Sequence, residues 1–320
     1  MGNEVFSPLV SVVIPVYNGA NYMCEAIDSA LMQTYKNIEI IVVNDGSSDN
    51  GETERIAKSY GDKIRYIYKE NGGVSTALNT GIQNMKGEYF SWLSHDDAYL
   101  PEKIEKQIKA LTGIEDKRAL VSCGSVHMDK NSQLMGAMPK VDENTVNLLT
   151  WDKVLMDLLH NGSMNGCTLL IHRDVFQDVG FFDERLRFNQ DGFMWDKIFL
   201  KGYSMLSMTF VGVKGRIHDK QLTQTGQSIF RGDCEKMSEF LIPALIACST
   251  KDRNFILAYI RYNAKYGVER VVKMAYREAV NHDLLTATAS TKIGIWYLYG
   301  KVRPLLRKIY YKFFRGIKTS

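Results

Sequence analysis

The sequence predicts an α/β fold, in which a mostly parallel sheet is flanked by helices and followed by a helical C-terminal region. Two apolar runs rich in β-branched residues, at 9–14 and 38–43, alternate with segments of helical periodicity at about 21–33 and 49–60. Strands that alternate with helices of this length are typical of parallel βαβ units, and almost wholly apolar strands suit a sheet that is covered on both faces.

Later segments continue this alternation. Short apolar runs at 64–68 and 89–93 are separated by a helical segment that begins after two glycines and reaches about residue 85. Another apolar strand at 168–171 precedes a further helix. After about residue 233 only helical stretches follow, so the sheet is expected to end before that point.

Charge divides the chain into two parts. The net charge is only +4. Residues 1–225 nevertheless carry a small acidic excess, whereas in residues 226–320 the basic residues outnumber the acidic ones by more than two to one. We therefore predict a sheet domain over residues 1–225 and a basic helical region over residues 226–320.

Composition indicates a globular, cytoplasmic protein. The chain has 320 residues, of which 45% are hydrophobic and 24% charged, which allows a sizeable core and one or two domains. No apolar run is long enough to span a bilayer, and the first residues do not resemble a secretory signal. The five cysteines are widely scattered without metal-type spacing, which favours reduced thiols in a cytosol.

The most informative feature is a strand that ends in paired carboxylates. The run at 89–93 leads directly into Ser94, His95, Asp96 and Asp97. In an open α/β sheet, ligands bind beyond the carboxyl ends of the strands. Two carboxylates there are suitable ligands for Mg²⁺ or Mn²⁺ carrying a diphosphate. The alternative is that one aspartate merely caps the following helix.

The two preceding strand ends also carry polar or aromatic groups. Pro15, Tyr17 and Asn18 follow the first strand, where a nucleobase could stack on the tyrosine ring. Asp45 follows the second strand and could accept a hydrogen bond from a ring N–H or a ribose hydroxyl. The alternative for Asp45 is a simple Asx turn, because Asp-Gly is a common turn sequence.

Phosphate-binding glycine loops are missing from the sequence. No Gly-x-Gly-x-x-Gly follows the first strand, which argues against a dinucleotide-binding Rossmann enzyme. The P-loop pattern Gly-x-x-x-x-Gly-Lys-Ser/Thr is also missing, which argues against a P-loop NTPase. A diphosphate at this sheet would therefore need a metal ion to neutralise it.

Four ordered segments resemble those of the family 2 glycosyltransferases, whose fold is called GT-A. The resemblance covers roughly residues 8–220 and rests on the segments 12–18, 39–49, 71–82 and 93–97. It implies a Rossmann-like GT-A domain with a nucleotide-sugar half at about 8–112 and an acceptor half at about 113–225.

The resemblance also implies roles for individual residues. Pro15 and Tyr17 would flank a uracil ring, with Asn18 beside them, and Asp45 would bind the edge of the ring. Asn71 and Gly73 would line the same pocket. The metal ion that bridges the phosphates would be bound by Asp96, with Asp97 and His218 as further ligands.

Two departures from the family pattern concern the donor. Ser94 stands where many members carry the first aspartate of the acidic motif, and Leu78 stands where many carry arginine. Both changes lower the number of charged contacts expected with the donor, and neither removes the principal metal ligand, Asp96. His218 has a structural alternative, since a lone histidine is often a hydrogen-bonded packing residue.

Asp191 resembles the catalytic base of the family. It follows Gln190, where Glu-Asp is the commoner pair. Members of this family invert the anomeric carbon, so a carboxylate must take the proton of the attacking acceptor hydroxyl, a role typically worth about 10²–10⁴ in rate. The alternative is an N-cap for the following helix, and Asp191 could serve both purposes.

The resemblance therefore implies an inverting, Mn²⁺- or Mg²⁺-dependent glycosyltransferase. It would transfer a sugar from a nucleotide sugar, in particular a UDP-sugar, to a glycan or lipid-linked glycan in cell-surface polysaccharide or glycoconjugate synthesis. One alternative is a sugar-1-phosphate nucleotidylyltransferase, although that chemistry needs a glycine-rich basic loop after the first strand. Another alternative is a non-catalytic subunit that binds nucleotide sugars.

The C-terminal segment 293–318 is predicted to lie on an anionic membrane surface. Apolar and aromatic side chains recur there at spacings of three and four, and seven basic residues without an acidic one are interleaved between 301 and 318. Such a helix suits the plane of a membrane interface, which predicts a peripheral protein at the inner face of the membrane. The alternative is packing on the catalytic domain. No nucleic-acid-binding motif accompanies the charge, and no nucleic-acid partner is expected.

Overall fold

The structure, a computed structural model, describes residues 6–139, 145–162, 164–219, 221, 227–250, 254–285 and 296. The chain separates into two compact units. One unit comprises residues 1–154 and 163–226, and the other comprises residues 155–162 and 227–320. The charge pattern predicted a boundary between residues 225 and 226; the second unit also takes in residues 155–162.

The first unit is built on a sheet whose first four strands are parallel. Strand β1 (Val10–Val16) lies between β2 (Ile38–Asp45) and β4 (Tyr89–Trp92), and β3 (Arg65–Lys69) pairs with β2. Every residue of β1 is buried. Burial on both faces is the reason that this strand reads as an almost continuous apolar run.

The predicted helices connect these strands. They are α1 (Met23–Leu31), α2 (Glu52–Ser59) and α3 (Val74–Asn84). A Cβ atom added to Gly81 in α3 would lie 2.3 Å from Cγ1 of Val13 in β1. Glycine therefore lets this helix pack unusually close to the sheet.

The remaining strands give the sheet a mixed second half. These strands are β5 (Ala98–Tyr99), β6 (Leu120–Met128), β7 (Val146–Leu149), β8 (Leu169–His172) and β9 (Met205–Arg216). The strand order is β3-β2-β1-β4-β8-β6-β9-β5, and β7 pairs with β9. Among the described strands of this half, β6 and β9 pair in parallel, while β8, β5 and β7 are antiparallel to their neighbours.

Four further helices follow α3 in this stretch of the chain: α4 (Lys103–Thr112), α5 (Trp151–Asn161), α6 (Asp174–Val179) and α7 (Gln190–Leu200). Helix α5 begins in the first unit, and from residue 155 onward it belongs to the second. The predicted fold class is confirmed, with a parallel sheet half that carries the strand ends named above. The antiparallel pairing of the second half was not indicated by the strand pattern, because direction depends on connections rather than on composition.

The second unit is helical. It contains α8 (Gln227–Cys248), α9 (Phe255–Lys265) and α10 (Glu269–Asn281). Asn254 caps α9, since its Oδ1 accepts a hydrogen bond of 2.9 Å from the backbone N of Leu257. In the part of the chain that the structure describes, no helix combines the length and the apolar character needed to cross a membrane.

The predicted membrane-surface segment, residues 293–318, lies outside the described residues except for Trp296. The ring of Trp296 lies 5.4 Å from the guanidinium of Arg261 in α9. Membrane attachment therefore stays a prediction.

Candidate active site

The turns after β1 and β2 interlock at the carboxyl edge of the sheet. The backbone N of Asn18 donates to Ser47 Oγ at 2.9 Å, and the backbone N of Ser48 donates to Asn18 Oδ1 at 2.7 Å. Pro15 is buried within β1. The side chain of Tyr17 is 47% exposed, and its hydroxyl lies 3.4 Å from Ser48 Oγ. The Tyr17 ring is therefore held at the rim and remains accessible to a planar ligand.

The carboxylate of Asp45, at the end of β2, is buried and surrounded by donors. Lys69 Nζ lies 2.7 Å from Oδ1, the backbone N of Gly72 donates to Oδ1 at 3.0 Å, and the backbone N of Gly73 donates to Oδ2 at 2.7 Å. The side-chain amide of Asn71 donates to the Asp45 carbonyl oxygen at 2.8 Å. The structure thus brings together Asp45, Asn71 and Gly73, which the resemblance implied would line one pocket. Lys69 was not singled out from the sequence.

The side chain that stabilises the turn at this strand end is Asn44, and the Asx turn expected at Asp45 is not formed. Asn44 Oδ1 accepts a hydrogen bond of 2.9 Å from the backbone N of Ser47. Gly46, the residue after Asp45, has a φ of 68°, and a Cβ atom added there would lie 2.5 Å from the backbone N of Asn71. The turn therefore requires glycine, and it leaves the Asp45 side chain to organise the 71–73 loop.

Residues 94–97, which follow β4, form the acidic turn. Its two carboxylates, Asp96 and Asp97, point in different directions. Asp96 Oδ2 lies 3.1 Å from His218 Nε2, and both side chains are partly accessible, at 15% and 16%. Asp97 is buried, with its Oδ1 accepting from the backbone N of Arg216 at 2.9 Å and its Oδ2 lying 3.3 Å from Cys167 Sγ. Burial, and after it the charge of Asp96, raises the pKa of Asp97 to about 7.

A divalent cation fits Asp96 and His218 but not the full set predicted. Among the described residues there is no group of three or more His, Cys, Asp or Glu side chains arranged to bind a metal. Both oxygens of Asp97 are engaged inside the protein, which leaves Asp96 and His218 of the predicted set. A carboxylate is a suitable ligand for Mg²⁺ or Mn²⁺, and Mg²⁺ commonly takes one or two protein carboxylates together with substrate phosphates. The donor set present therefore fits a metal that is completed by the diphosphate of a substrate.

His95 joins the acidic turn to the turn after β1. A Cβ atom added to Gly19 would lie 2.6 Å from His95 Cδ2. Burial lowers the pKa of His95, although the charge of Asp96 opposes this effect. His95 therefore packs against Gly19, in the turn after β1, and favours its neutral form more than a free histidine does.

Arg216, at the end of β9, binds the backbone of the acidic turn. No role was predicted for it from the sequence. Its guanidinium is fully buried and donates to the carbonyl oxygen of Asp96 at 2.7 Å. It also contacts the carboxylate of Glu25, the carbonyl oxygen of Asp129 at 3.1 Å and Ser132 Oγ at 3.0 Å. The available signal was an arginine that closes a long, mostly apolar strand just before His218.

Asp191 lies in the first turn of α7. Asn189 occupies the N-cap position, and Asp191 Oδ1 accepts a hydrogen bond of 2.7 Å from the backbone N of Gly192. The N-cap alternative for Asp191 is therefore wrong, because Asn189 is the N-cap residue. Asp191 instead accepts a backbone hydrogen bond within the first turn. A carboxylate in the first turn of a helix interacts favourably with the helix dipole.

A second carboxyl group, Asp196, is buried further along α7. Burial, and after it the charge of Asp191, raises the pKa of Asp196 to about 8. Nothing in the sequence pattern separated this aspartate from an ordinary surface residue of a helix. Its burial becomes evident only from the packing of α7.

The segment that precedes α7 is attached to α3. The side-chain amide of Asn79 donates to the carbonyl oxygen of Phe182 at 2.9 Å and accepts from the backbone N of the same residue at 2.9 Å. Arg187 donates to the carbonyl oxygen of Gly72. The loop that contacts Asp45 and the segment leading to Asp191 are therefore linked directly. Leu78, which stands where the family pattern has arginine, is fully buried in α3.

Known proteins resemble this chain in sequence and in fold. The model of a family described as "Glycosyl transferase family 2" matches residues 11–180. An uncharacterized glycosyltransferase of Rickettsia prowazekii (strain Madrid E) is 54% identical over 225 residues, which cover 70% of this chain and 69% of that protein. An uncharacterized glycosyltransferase of Rickettsia typhi (strain ATCC VR-144 / Wilmington) is also 54% identical over 225 residues, with the same coverage of both chains.

Among solved structures, S. aureus TarS 1–349 in complex with UDP-GlcNAc superposes with a TM-score of 0.59. The sequence identity is 15%, and the match covers 93% of this chain and 92% of that chain. At this identity the likeness shows the fold alone.

Proposed function

The chain belongs to glycosyltransferase family 2, and on this premise we propose that it transfers a sugar from a UDP-sugar to a glycan or lipid-linked glycan acceptor. The observation that carries the proposal is the cluster at the carboxyl edge of the parallel strands. There an accessible aromatic ring, Tyr17, and a loop-bound carboxylate, Asp45, stand near an acidic turn. These are the groups that a nucleobase and a metal-bound diphosphate require.

The nature of the donor is supported from two sides. A ring N–H is a natural partner for the Asp45 carboxylate, and Tyr17 offers a face for base stacking. TarS, whose fold the chain shares, has been crystallised with UDP and with UDP-GlcNAc. A sugar-1-phosphate nucleotidylyltransferase is disfavoured, because Asn18 and its neighbours replace the glycine-rich basic loop which that chemistry needs.

Charge on the departing diphosphate is the electrostatic problem of this reaction. We assign Asp96 and His218 as the residues that hold Mn²⁺ or Mg²⁺, with the remaining positions left for phosphate oxygens and water. When bound, such an ion offsets the negative charge that develops on the leaving group. Arg216 holds the Asp96 backbone in place through a hydrogen bond to its carbonyl oxygen.

Asp191 is assigned as the general base. It would accept the proton of the acceptor hydroxyl as that oxygen bonds to the anomeric carbon. The bond from this carbon to the diphosphate oxygen would break, UDP would leave, and the configuration of the carbon would be inverted. Family membership and the placement of Asp191 in the first turn of α7 support this assignment. The hydrogen bonds from Asn79 to the segment before α7 would fix the position of Asp191 relative to the 71–73 loop.

Cell-surface polysaccharide or glycoconjugate assembly is the pathway that we propose, with the protein at the inner face of the membrane. The basic segment 293–318 would supply the attachment to anionic lipids. These parts of the proposal rest on family resemblance and on charge.

Sugar transfer tests the proposal. Full-length protein would be incubated with a panel of UDP-sugars and Mn²⁺, and UDP release would be followed with and without added glycan acceptors. We expect release with at least one donor, and its loss in Asp191→Asn. The control is Asp62→Asn, an exposed aspartate in the turn before β3. A protein that binds UDP but releases none from any donor would instead be a non-catalytic binding subunit.

A further inference from the structure

Asp45 and Lys69 are cross-strand neighbours at the edge of the proposed base pocket. The register of the parallel strands β2 and β3 pairs these two residues directly. Their side chains form an ion pair, with Lys69 Nζ 2.7 Å from Asp45 Oδ1, and the exposed fractions are 21% and 4%. The pair is thus largely shielded from water.

All three protons of the Lys69 ammonium group have partners in the protein. Besides Asp45 Oδ1, Nζ donates to Thr76 Oγ1 at 2.8 Å and to the carbonyl oxygen of Glu70 at 2.5 Å. A lysine ammonium has three donors and no acceptor. Lys69 therefore has no proton left for a ligand, and any effect on a ligand must pass through Asp45.

The lone pairs of Asp45 can be counted in the same way. Oδ1 accepts from Lys69 Nζ and from the backbone N of Gly72, which fill its two positions. Thr76 Oγ1 lies 3.4 Å from Oδ1 but donates its proton to the carbonyl oxygen of Gly73, which is nearer at 2.8 Å. Among the described residues, the backbone N of Gly73 is the one donor to Oδ2. One acceptor position on Oδ2 is left for a ligand.

One remaining acceptor suits one kind of base edge. Uracil presents a single N–H between two carbonyl groups, so one carboxylate oxygen is sufficient. Guanine presents two adjacent N–H groups, which need both oxygens of a carboxylate. Cytosine can donate from its amino group, but its neighbouring ring nitrogen is an acceptor and would face the carboxylate unfavourably.

We propose that Lys69 determines base selectivity by occupying Asp45 Oδ1, so that the pocket accepts a base with a single N–H, such as uracil, and rejects guanine. Lys69 is a positioning residue in this role, since it acts through Asp45 and does not touch the ligand. The inference rests on the proposed function, because it assumes that Asp45 faces the base of the donor. Should Lys69 only brace the loop, its removal would weaken all nucleotides equally.

Inosine diphosphate and GDP make the sharpest pair of probes. Both carry the same purine ring and the same diphosphate, but inosine lacks the 2-amino group and has a single N–H. Calorimetry on the full-length protein with Mn²⁺ would measure UDP, IDP and GDP. We expect the wild-type protein to bind IDP at least as tightly as GDP, even though GDP has one more hydrogen-bond donor, and UDP most tightly.

Lys69→Met should reverse the order of the two purine nucleotides. It frees Oδ1, so GDP should gain on IDP by about 10-fold, in line with a hydrogen bond to a charged group. The lost lysine charge acts on both diphosphates alike and cancels in the ratio. Lys58→Met is the control, since Lys58 forms an exposed pair with Glu54 on α2.

Two outcomes would overturn the inference while leaving the proposed function intact. One is a wild-type protein that binds GDP about 10-fold more tightly than IDP, which needs no variant. The other is a folded Lys69→Met protein whose ratio of GDP to IDP affinity equals that of the wild type. A wild-type protein that binds none of the three nucleotides would instead reject the proposed function, and this inference with it.

Discussion

Asp96 and His218 are 122 residues apart in the chain, yet Asp96 Oδ2 and His218 Nε2 lie 3.1 Å apart. The contact arises because β9 ends beside the turn that follows β4. Arg216, two residues before His218, also holds the carbonyl oxygen of Asp96. Both the backbone and the side chain of Asp96 are therefore held by the 216–218 segment.

Under the metal assignment proposed above, chelation of divalent cations should weaken nucleotide binding through this pair. We expect chelation to lower UDP affinity at least 10-fold in the wild-type protein, because the phosphates then lose the cation that neutralises them. Asp96→Asn and His218→Asn should each reduce the effect of Mn²⁺, with Asp62→Asn as the control. Calorimetry measures this; equal UDP affinity with and without chelator would exclude a metal role for either residue.

Asp191→Asn should separate turnover from binding. The amide keeps the size and the contact with Gly192 but cannot take a proton, so we expect the turnover rate to fall about 10²–10⁴-fold. UDP affinity should stay within about 2-fold of wild type, since Asp191 is assigned to the acceptor hydroxyl and not to the nucleotide. Steady-state kinetics and calorimetry on the same preparation give both quantities. Undiminished turnover would reject the role of base.

Asp196 should make the protein less stable as the pH rises. In the folded state its pKa is raised to about 8 from a usual value of 3.8, so between these values the folded state holds a proton that the unfolded state has lost. The contribution of Asp196 to the free energy of unfolding should therefore fall by about 1.4 kcal/mol for each pH unit within this window.

Asp196→Asn removes the titrating group with little change in size. Urea unfolding of both proteins at pH 5, 6, 7 and 8 should show the variant gaining stability relative to wild type as the pH rises. If the difference between the two unfolding free energies is constant over this range, Asp196 does not keep its proton in the folded protein.

Arg216→Gln should lower stability more than an exposed arginine change. It leaves Glu25 and the carbonyl oxygens of Asp96 and Asp129 without their buried donor, and the loss of one partner of a buried pair costs about 3 kcal/mol. The control is Arg55→Gln, whose pair with Glu52 is exposed, and we expect a change below about 0.5 kcal/mol. Similar unfolding midpoints in urea for both variants would contradict the role of Arg216.

Gly73→Ala should impair donor binding for a reason that a matched glycine lacks. Gly73 has φ 92° and ψ 168°, a region that is essentially restricted to glycine, and an added Cβ would lie 2.0 Å from Nη1 of Arg187. Gly202 has a similar φ of 91°, with nothing within 4 Å of the added atom. Both alanine variants should lose about 1–3 kcal/mol of stability.

Only the variant at Gly73 should also bind UDP less tightly, because the displacement of Arg187 disturbs the hydrogen bond from the Gly73 backbone to Asp45. Calorimetry with UDP on Gly73→Ala and Gly202→Ala provides the comparison. Equal UDP affinity in the two variants would show that the 71–73 loop takes no part in the donor site.

Much of the fold could be derived from local sequence. The strands β1 and β2 and the helix α3 were expected within a few residues of their observed bounds, because apolar runs and helical periodicity are local properties. The strand-end residues Tyr17 and Asp45 could be named for the same reason. Parallel strands present their carboxyl ends at one edge, so residues at those ends can be grouped without any structure.

What the sequence determined by itself was therefore the class of fold, the family and the strand ends at which we propose that a ligand binds. Only the tertiary structure decided that Asp97 turns inward and that His218 meets Asp96. It also decided that Lys69 pairs with the Asp45 carboxylate and that Arg216 holds the backbone of Asp96. These contacts depend on strand register and on side-chain direction over distances of 24 to 122 residues along the chain. No local pattern encodes such contacts, because burial and partners are properties of the packed chain.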